Sequence, residues 1–227
     1  VSVRLVVFDV DGTLIDSQHS IVSCMEQAFA AHGLPQPDAL AVRRIVGLPL
    51  EDGIQVLRPE LSEADAEILA DTYRRQFMAT RLAGKLQEAL FPQVELMLNA
   101  LSEAGFILGI ATGKSQRGLN AMLERYDLAH HFATLQTGDV PPGKPHPAML
   151  LRAIAEVGVT PAETIMVGDT TFDIDMACAA GAVPVGVSWG YHAPSELLAA
   201  GAIEALTRWG DLPPLVQRLV TRSGEGA

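Results

Sequence analysis

Apolar residues recur along this chain in two periods. Residues 3–8 form a β-branched and apolar run with little alternation that stops abruptly at an acidic loop. Such a run suits a strand buried on both faces, as in a parallel sheet. Residues 106–111, 132–136, 164–167 and 183–187 read the same way. Helical spacing fills the intervals at 93–103, 115–126, 147–157 and 173–180, with Gly105, Gly158 and Gly181 standing where a helix stop belongs. Strand and helix alternating at this spacing imply right-handed crossovers, hence an α/β fold built on a doubly wound parallel sheet.

Between Asp16 and about Leu90 the alternation disappears. Residues 17–32 are amphipathic, with Ile21, Met25, Ala28 and Phe29 on one face, and Gly33-Leu34-Pro35 ends the pattern. Further helical patterns follow at 40–46, 50–57 and 64–82, separated by Gly47-Leu48-Pro49 and Pro59. Ser62, with Asp65 three residues on, marks a helix start. The predicted organisation is an α/β core of residues 1–16 and 87–227 carrying an inserted α-helical cap of residues 17–86. The tail 223–227 is expected to fray.

Composition narrows the class. Hydrophobic residues make up 48% of 227 and charged residues 19%, enough for a sizeable core and against a disordered chain. No apolar run approaches the roughly 18 residues of a membrane span, and the short run before Asp9 lacks the features of a secretory signal. Sixteen basic against 27 acidic residues give −11, with no basic cluster to hold nucleic acid. Cys24 and Cys178 match no metal spacing and are expected as reduced structural thiols. The expectation is a cytoplasmic protein, monomer or homodimer, acting on neither membrane nor nucleic acid.

Four polar features stand at predicted strand ends, where ligands bind in open α/β sheets. Asp9-Val10-Asp11-Gly12-Thr13 brings two carboxylates together, and close carboxylates require a cation between them or a proton on one. Thr112-Gly113-Lys114 offers a hydroxyl and free N–H groups at a helix start, suited to an anion. Gly143-Lys144-Pro145 holds a lysine, and Gly168-Asp169 is followed by Asp173. Together these supply ligands for a hard cation and a phosphate. Other phosphate and metal motifs fit poorly. Residues 109–115 fall one residue short of a P-loop, with Leu108 where a glycine is needed. Residues 9–20 place their glycine wrongly for a calcium loop and end on Ser20. No G-x-G-x-x-G follows a strand.

The segments Asp9–Ser17, Thr112, Lys144-Pro145 and Gly168–Asp173 resemble, in order, the four signature motifs of the haloacid dehalogenase superfamily. The resemblance extends from Val3 to about Gly190 and is nearest the phosphoglycolate phosphatase branch, with its small α-helical cap. It implies a Mg²⁺-dependent phosphomonoester hydrolase of a small phosphorylated metabolite. Asp9 would be the nucleophile that forms an aspartyl-phosphate, and Asp11 the general acid and base. Mg²⁺ would be held by the carboxylates of Asp9 and Asp169 and the backbone carbonyl of Asp11. Thr112 and the Gly113 amide would hold a phosphoryl oxygen, and Lys144 would offset charge on Asp9 and the phosphoryl group. Asp173 would orient Lys144 or a metal-bound water.

Within the superfamily, Asp11 argues for phosphoryl transfer, because 2-haloacid dehalogenases have no acid there. Lys85, the cap's single lysine, lies at its far edge and argues against phosphonatase chemistry. A β-phosphoglucomutase-like mutase is the nearest alternative; Thr13 and Val46-Gly47 stand where such enzymes usually carry valine and a lysine-glycine pair. A catalytically idle binding or regulatory member is the alternative outside enzymes. Arg43 and Arg44 are the candidates to meet a substrate carboxylate, with cap hinges near Asp16-Ser17 and residues 84–90. His19 is expected at the surface or hinge, and His32, His130, His131 and His192 as structural residues. Met97, Met122, Met149 and Met176 are expected as core filler.

Overall fold

A computed structural model describes residues 3–222, so the predicted fraying of 223–227 lies outside the described residues. The chain opens with β1 (Leu5–Phe8) and the two-residue β2 (Ile15–Asp16). Four helices follow: α1 (Gln18–Ala31), α2 (Ala39–Arg44), α3 (Leu50–Leu57) and α4 (Glu63–Leu82). After β3 (Ala89–Leu90) and α5 (Val94–Glu103), strands and helices alternate as β4 (Ile107–Ala111), α6 (Gln116–Arg125), β5 (Phe132–Gln136), α7 (Ala148–Val157), β6 (Thr164–Gly168) and α8 (Thr171–Ala180). The chain continues through β7 (Val183–Val187), α9 (Pro194–Ala200), β8 (Ala205–Leu206) and α10 (Leu212–Arg222).

Six strands form one parallel sheet in the order β5-β4-β1-β6-β7-β8. β1 is apolar throughout because its two faces are both covered. Val6 and Phe8 pack with Leu98 and Leu101 of α5, Leu119 of α6 and Leu215 of α10. Leu5 and Val7 face the opposite way, toward Met149 and Ala153 of α7 and Met176 of α8. Each such side chain removed from water contributes about 1.5–3 kcal/mol, which makes the central strands the most firmly held part of the molecule. All four methionines expected in the core are buried there. Cys24 is buried and free, whereas Cys178 is free but exposed on α8 and fills no core space.

The helices α1–α4 have a hydrophobic cluster of their own, built on Met25, Phe29, Val42, Ile54 and Leu69. Their two chain connections are clasped by the antiparallel pair β2 and β3, with Ile15 opposite Leu90 and Asp16 opposite Ala89. Ser62 caps α4 as its spacing predicts: its hydroxyl oxygen accepts the Asp65 N–H at 3.2 Å and its O–H donates to the Asp65 carboxylate at 2.6 Å. The α2–α3 loop touches the sheet side. A Cβ on Gly47 would stand 3.2 Å from Thr170 Oγ1, and one on Gly113 would stand 3.5 Å from the Gly47 carbonyl oxygen.

Candidate active site

Parallel pairing puts the candidate residues side by side. Phe8 is level with Ile110 on β4 and with Val167 on β6, so the residues that follow these strands emerge along one edge. Asp9 leaves β1 with its N–H bonded to the Val167 carbonyl at 2.9 Å, Thr112 follows β4, and Asp169 follows β6. β1 lies between the half of the sheet entered through β4 and the half entered through β6, the kind of switch point where α/β sheets bind ligands.

Lys144 reaches this edge as a fully buried side chain. Its ammonium lies 2.8 Å from Asp9 Oδ1 and 2.6 Å from Asp173 Oδ1. The other Asp173 oxygen accepts from the Thr170 N–H at 3.1 Å and the Thr170 O–H at 2.8 Å, closing a capping box at the start of α8. Both Asp173 oxygens are therefore engaged. Asp169 accepts the Thr13 O–H at 2.7 Å and the Tyr191 N–H at 2.9 Å. Gly12, with φ +84°, and Gly190 press against Asp169 so closely that a Cβ at either would overlap its side chain.

Oxygens of Asp9, Asp169 and Asp173 lie within 4.8 Å of one another, all buried, and Lys144 is the ammonium between Asp9 and Asp173. The consequence is visible in their proton affinities. Burial pushes the Asp9 carboxyl up to about 6, against the pull of Lys144 and with the repulsion of Asp173 added. Burial also holds Asp169 well above the ordinary carboxylate range, with Asp173 and Asp9 contributing. Burial works to lower Lys144, yet Asp173 and Asp9 outweigh it and hold the ammonium above the usual lysine value. Among the described residues Lys144 is the ammonium paired with these three buried carboxylates, so the cluster calls for further positive charge or a proton. A hard divalent cation fits that donor set.

Asp11 turns away from this cluster. Its carboxylate accepts Lys114 Nζ at 2.8 and 3.1 Å and the Ser17 O–H at 2.6 Å. Tyr191 Oη lies 3.3 Å from the same Ser17 hydroxyl. Thr112 is buried, and its Oγ accepts the Lys114 N–H at 3.2 Å. The structure thus gathers Asp9, Lys144, Asp169 and Asp173 into one cluster, with Asp11, Thr112 and Gly113 on the adjoining loops.

Arg44 does not join them. It is exposed and its guanidinium is taken by Glu196 of α9 at 2.8 Å, because α2 ends with Arg44 over that helix. Arg43 is half-buried, and its Nε finds no hydrogen-bond partner among the described residues. His192 is structural as expected: Nδ1 accepts the Thr171 N–H at 3.1 Å and Nε2 lies 3.1 Å from the Arg44 carbonyl. Those partners fix the tautomer with its proton on Nε2, and burial lowers the ring's proton affinity. His32 meets the Thr72 hydroxyl at 2.8 Å, and the His130 and His131 rings lie against each other at a 38° tilt, centroids 4.0 Å apart. His19 is exposed and lines a crevice with Thr80 and Lys85.

Sequence reasoning gave no part to Tyr191, Lys114 or Glu88. Tyr191 lies in the loop that follows β7, four residues past Val187, where the strand-end rule points only loosely. Glu88 sits in a short stretch without periodicity, so nothing local distinguishes it.

Known proteins bear on this arrangement. The family model described as haloacid dehalogenase-like hydrolase matches residues 6–187, and the chain belongs to that family. It is 39% identical over 201 residues to the probable phosphatase IndB of Dickeya dadantii (strain 3937), covering 86% of each chain. It is 32% identical over 202 residues to a phosphoglycolate phosphatase of Vibrio vulnificus (strain YJ016), covering 84% of this chain and 86% of that one. A haloacid dehalogenase-like hydrolase of Bacteroides fragilis superposes with a TM-score of 0.86 at 27% identity, over 93% of this chain and all of the other. By this kinship the chain is an enzyme, a hydrolase of the phosphatase type. Among the described residues no helix is long and apolar enough to cross a membrane.

Proposed function

We propose that this enzyme is a Mg²⁺-dependent phosphomonoester hydrolase of a small metabolite, with phosphoglycolate as the leading substrate, acting through an aspartyl-phosphate on Asp9. The observation that carries the reading is the buried group of Asp9, Lys144, Asp169 and Asp173 at the sheet's edge, charged enough to need a cation. The names of similar proteins, phosphoglycolate phosphatase among them, support the substrate.

Asp9, Asp169 and the Asp11 backbone carbonyl would hold Mg²⁺. When bound, the ion supplies positive charge that lets an anionic carboxylate and a phosphate dianion come together. Lys144 contributes a fixed ammonium beside Asp9, and Asp173 holds that ammonium in place. An oxygen of Asp9 attacks phosphorus, and the alcohol leaves with a proton from Asp11. Asp11 then takes a proton from water as its oxygen attacks the same phosphorus; orthophosphate departs and the Asp9 carboxylate is restored. Thr112 and the Gly113 N–H hold a phosphoryl oxygen through both transfers.

Residues 17–86 would act as a cap domain over a core of 1–16 and 87–227, moving about hinges beside the β2–β3 pair. Arg43, its Nε without a hydrogen-bond partner among the described residues, is the better placed cap candidate for a substrate carboxylate, beside Arg44. Phosphate release from phosphoglycolate, measured with Mg²⁺ and again with EDTA, tests the reading. Turnover should need the metal and vanish in Asp9→Asn. Turnover indifferent to EDTA, or retained by Asp9→Asn, contradicts it, and no phosphate release from any monoester would make this an idle member of the family.

A further inference from the structure

We propose that Lys114 is a positioning residue for Asp11, placing that carboxylate for proton exchange with the departing alcohol. The inference rests on the role given above to Asp11. Lys114 stands two residues beyond Thr112, and its side chain is 7% exposed. Its ammonium has two carboxylate partners, Asp11 at 2.8 Å and Glu88 at 3.3 Å. Glu88 is itself buried, its side chain 5% exposed. A buried ammonium left with no partner is strongly disfavoured. With Asp11 alone, Lys114 would hold that carboxylate fast. Glu88 keeps the ammonium partnered while Asp11 turns toward the substrate, and the Ser17 hydroxyl, 2.6 Å from Asp11 Oδ1, limits how far it turns.

The partners also link Asp11 to the helical segment. Glu88 immediately precedes β3, the strand by which that segment rejoins the sheet, and Lys114 Nζ lies 5.5 Å from the centroid of the Phe77 ring on α4. A shift of α4 or β3 therefore displaces the group that holds Asp11. Lys144 and Lys114 have separate tasks: one stands beside Asp9 and Asp173, the other beside Asp11 and Glu88.

Leaving-group dependence tests the role, because a phenolate departs without a proton and an alkoxide does not. We would measure kcat/KM for p-nitrophenyl phosphate and for phosphoglycolate, as the alkyl probe, in wild type, Asp11→Asn, Lys114→Met and the double variant. Asp11→Asn should lose about a hundredfold on phosphoglycolate and stay within about threefold on the aryl ester. Lys114→Met should show the same bias, about tenfold on phosphoglycolate, and add little to Asp11→Asn in the double variant. Lys114→Arg should recover part of the loss. Glu88→Gln, which keeps its size, should lose severalfold on the alkyl ester alone, and decides the matter if Lys114→Met does not fold. Equal losses on both esters, no loss from either Lys114→Met or Glu88→Gln, or losses that multiply with Asp11→Asn would overturn the role of Lys114 and leave that of Asp11 standing. Absence of bias in Asp11→Asn itself would instead remove the Asp11 role, and this proposal with it.

Discussion

Replacing Asp9, the proposed nucleophile, should make the metal-free protein more stable. In Asp9→Asn the chain gives up a carboxylate that burial has raised from 3.8 to about 6. A rise of about two pKa units corresponds to about 3 kcal/mol, at 1.36 kcal/mol per unit, by which ionised Asp9 disfavours the folded state at neutral pH. The sign follows from the direction. A folded value above the unfolded one gives stability that is fully present below pH 3.8 and lost as pH rises through about 6. At pH 7.5 the loss is complete, so asparagine relieves it. Against this, Lys144 forfeits one partner, but it retains Asp173 at 2.6 Å. The net gain is about 1–3 kcal/mol, and for a chain of this length that is a rise in Tm of about 2–12 °C.

Thermal melts in EDTA at pH 7.5 should therefore place Asp9→Asn above wild type, and the gap should narrow as pH is lowered toward 5. Mg²⁺ at about a hundred times its Kd adds about 2.7 kcal/mol to a protein that binds it only when folded. The ion should close or reverse the gap, because the variant lacks one of its carboxylates. An asparagine variant that melts below wild type in EDTA would refute the reasoning. It would mean that the Asp9–Lys144 pair stabilises the fold by more than the burial of Asp9 costs.

Two other substitutions separate packing from charge. Gly190→Ala drives a methyl group into the Asp169 side chain and should cost about 1–3 kcal/mol together with most of the activity, measured by melts and phosphate release. Arg44→Ala removes an exposed pair with Glu196 and should change stability by less than about 1 kcal/mol; kcat and KM should hold, and a large rise in KM would return Arg44 to the substrate site.

The parts of this molecule that the sequence makes legible are those where one residue's environment repeats at a fixed interval. β1, β4, β6 and β7 lie where burial produced apolar runs, and the edge strand β5 (FATLQ) is legible although it is only partly buried; ends differ from the predicted ones by at most two residues. Gly158 and Gly181 close α7 and α8 in left-handed conformations, as their positions after helical patterns imply. β8 is only Ala205–Leu206, too short to display a period, and α10 begins Leu-Pro-Pro, which reads as a break although proline is tolerated in a first helical turn. The two-residue strands β2 and β3 are invisible for the same reason as β8: their pairing is decided by the fold that brings residues 15 and 90 together.

The same distinction divides the site. Asp9, Asp169 and Lys144 are legible because strand ends and a short lysine loop mark them locally, and register alone then aligns β1 with β6. Contacts between those loops and the helical segment follow no local mark. Arg43 and Arg44 are adjacent and chemically alike, yet α2 turns Arg44 to Glu196 and leaves the Arg43 Nε buried with no hydrogen-bond partner among the described residues. Lys114 and Glu88 meet only because the α4–β3 connection returns beside the end of β4. What cannot be read locally is therefore concentrated where the helical segment meets the sheet, and under the proposed function that boundary is where a substrate's non-phosphate portion would be recognised. On that reading the strand ends carry the chemistry proposed for Asp9 and Asp169, while selectivity would fall to side chains whose neighbours only the folded chain supplies.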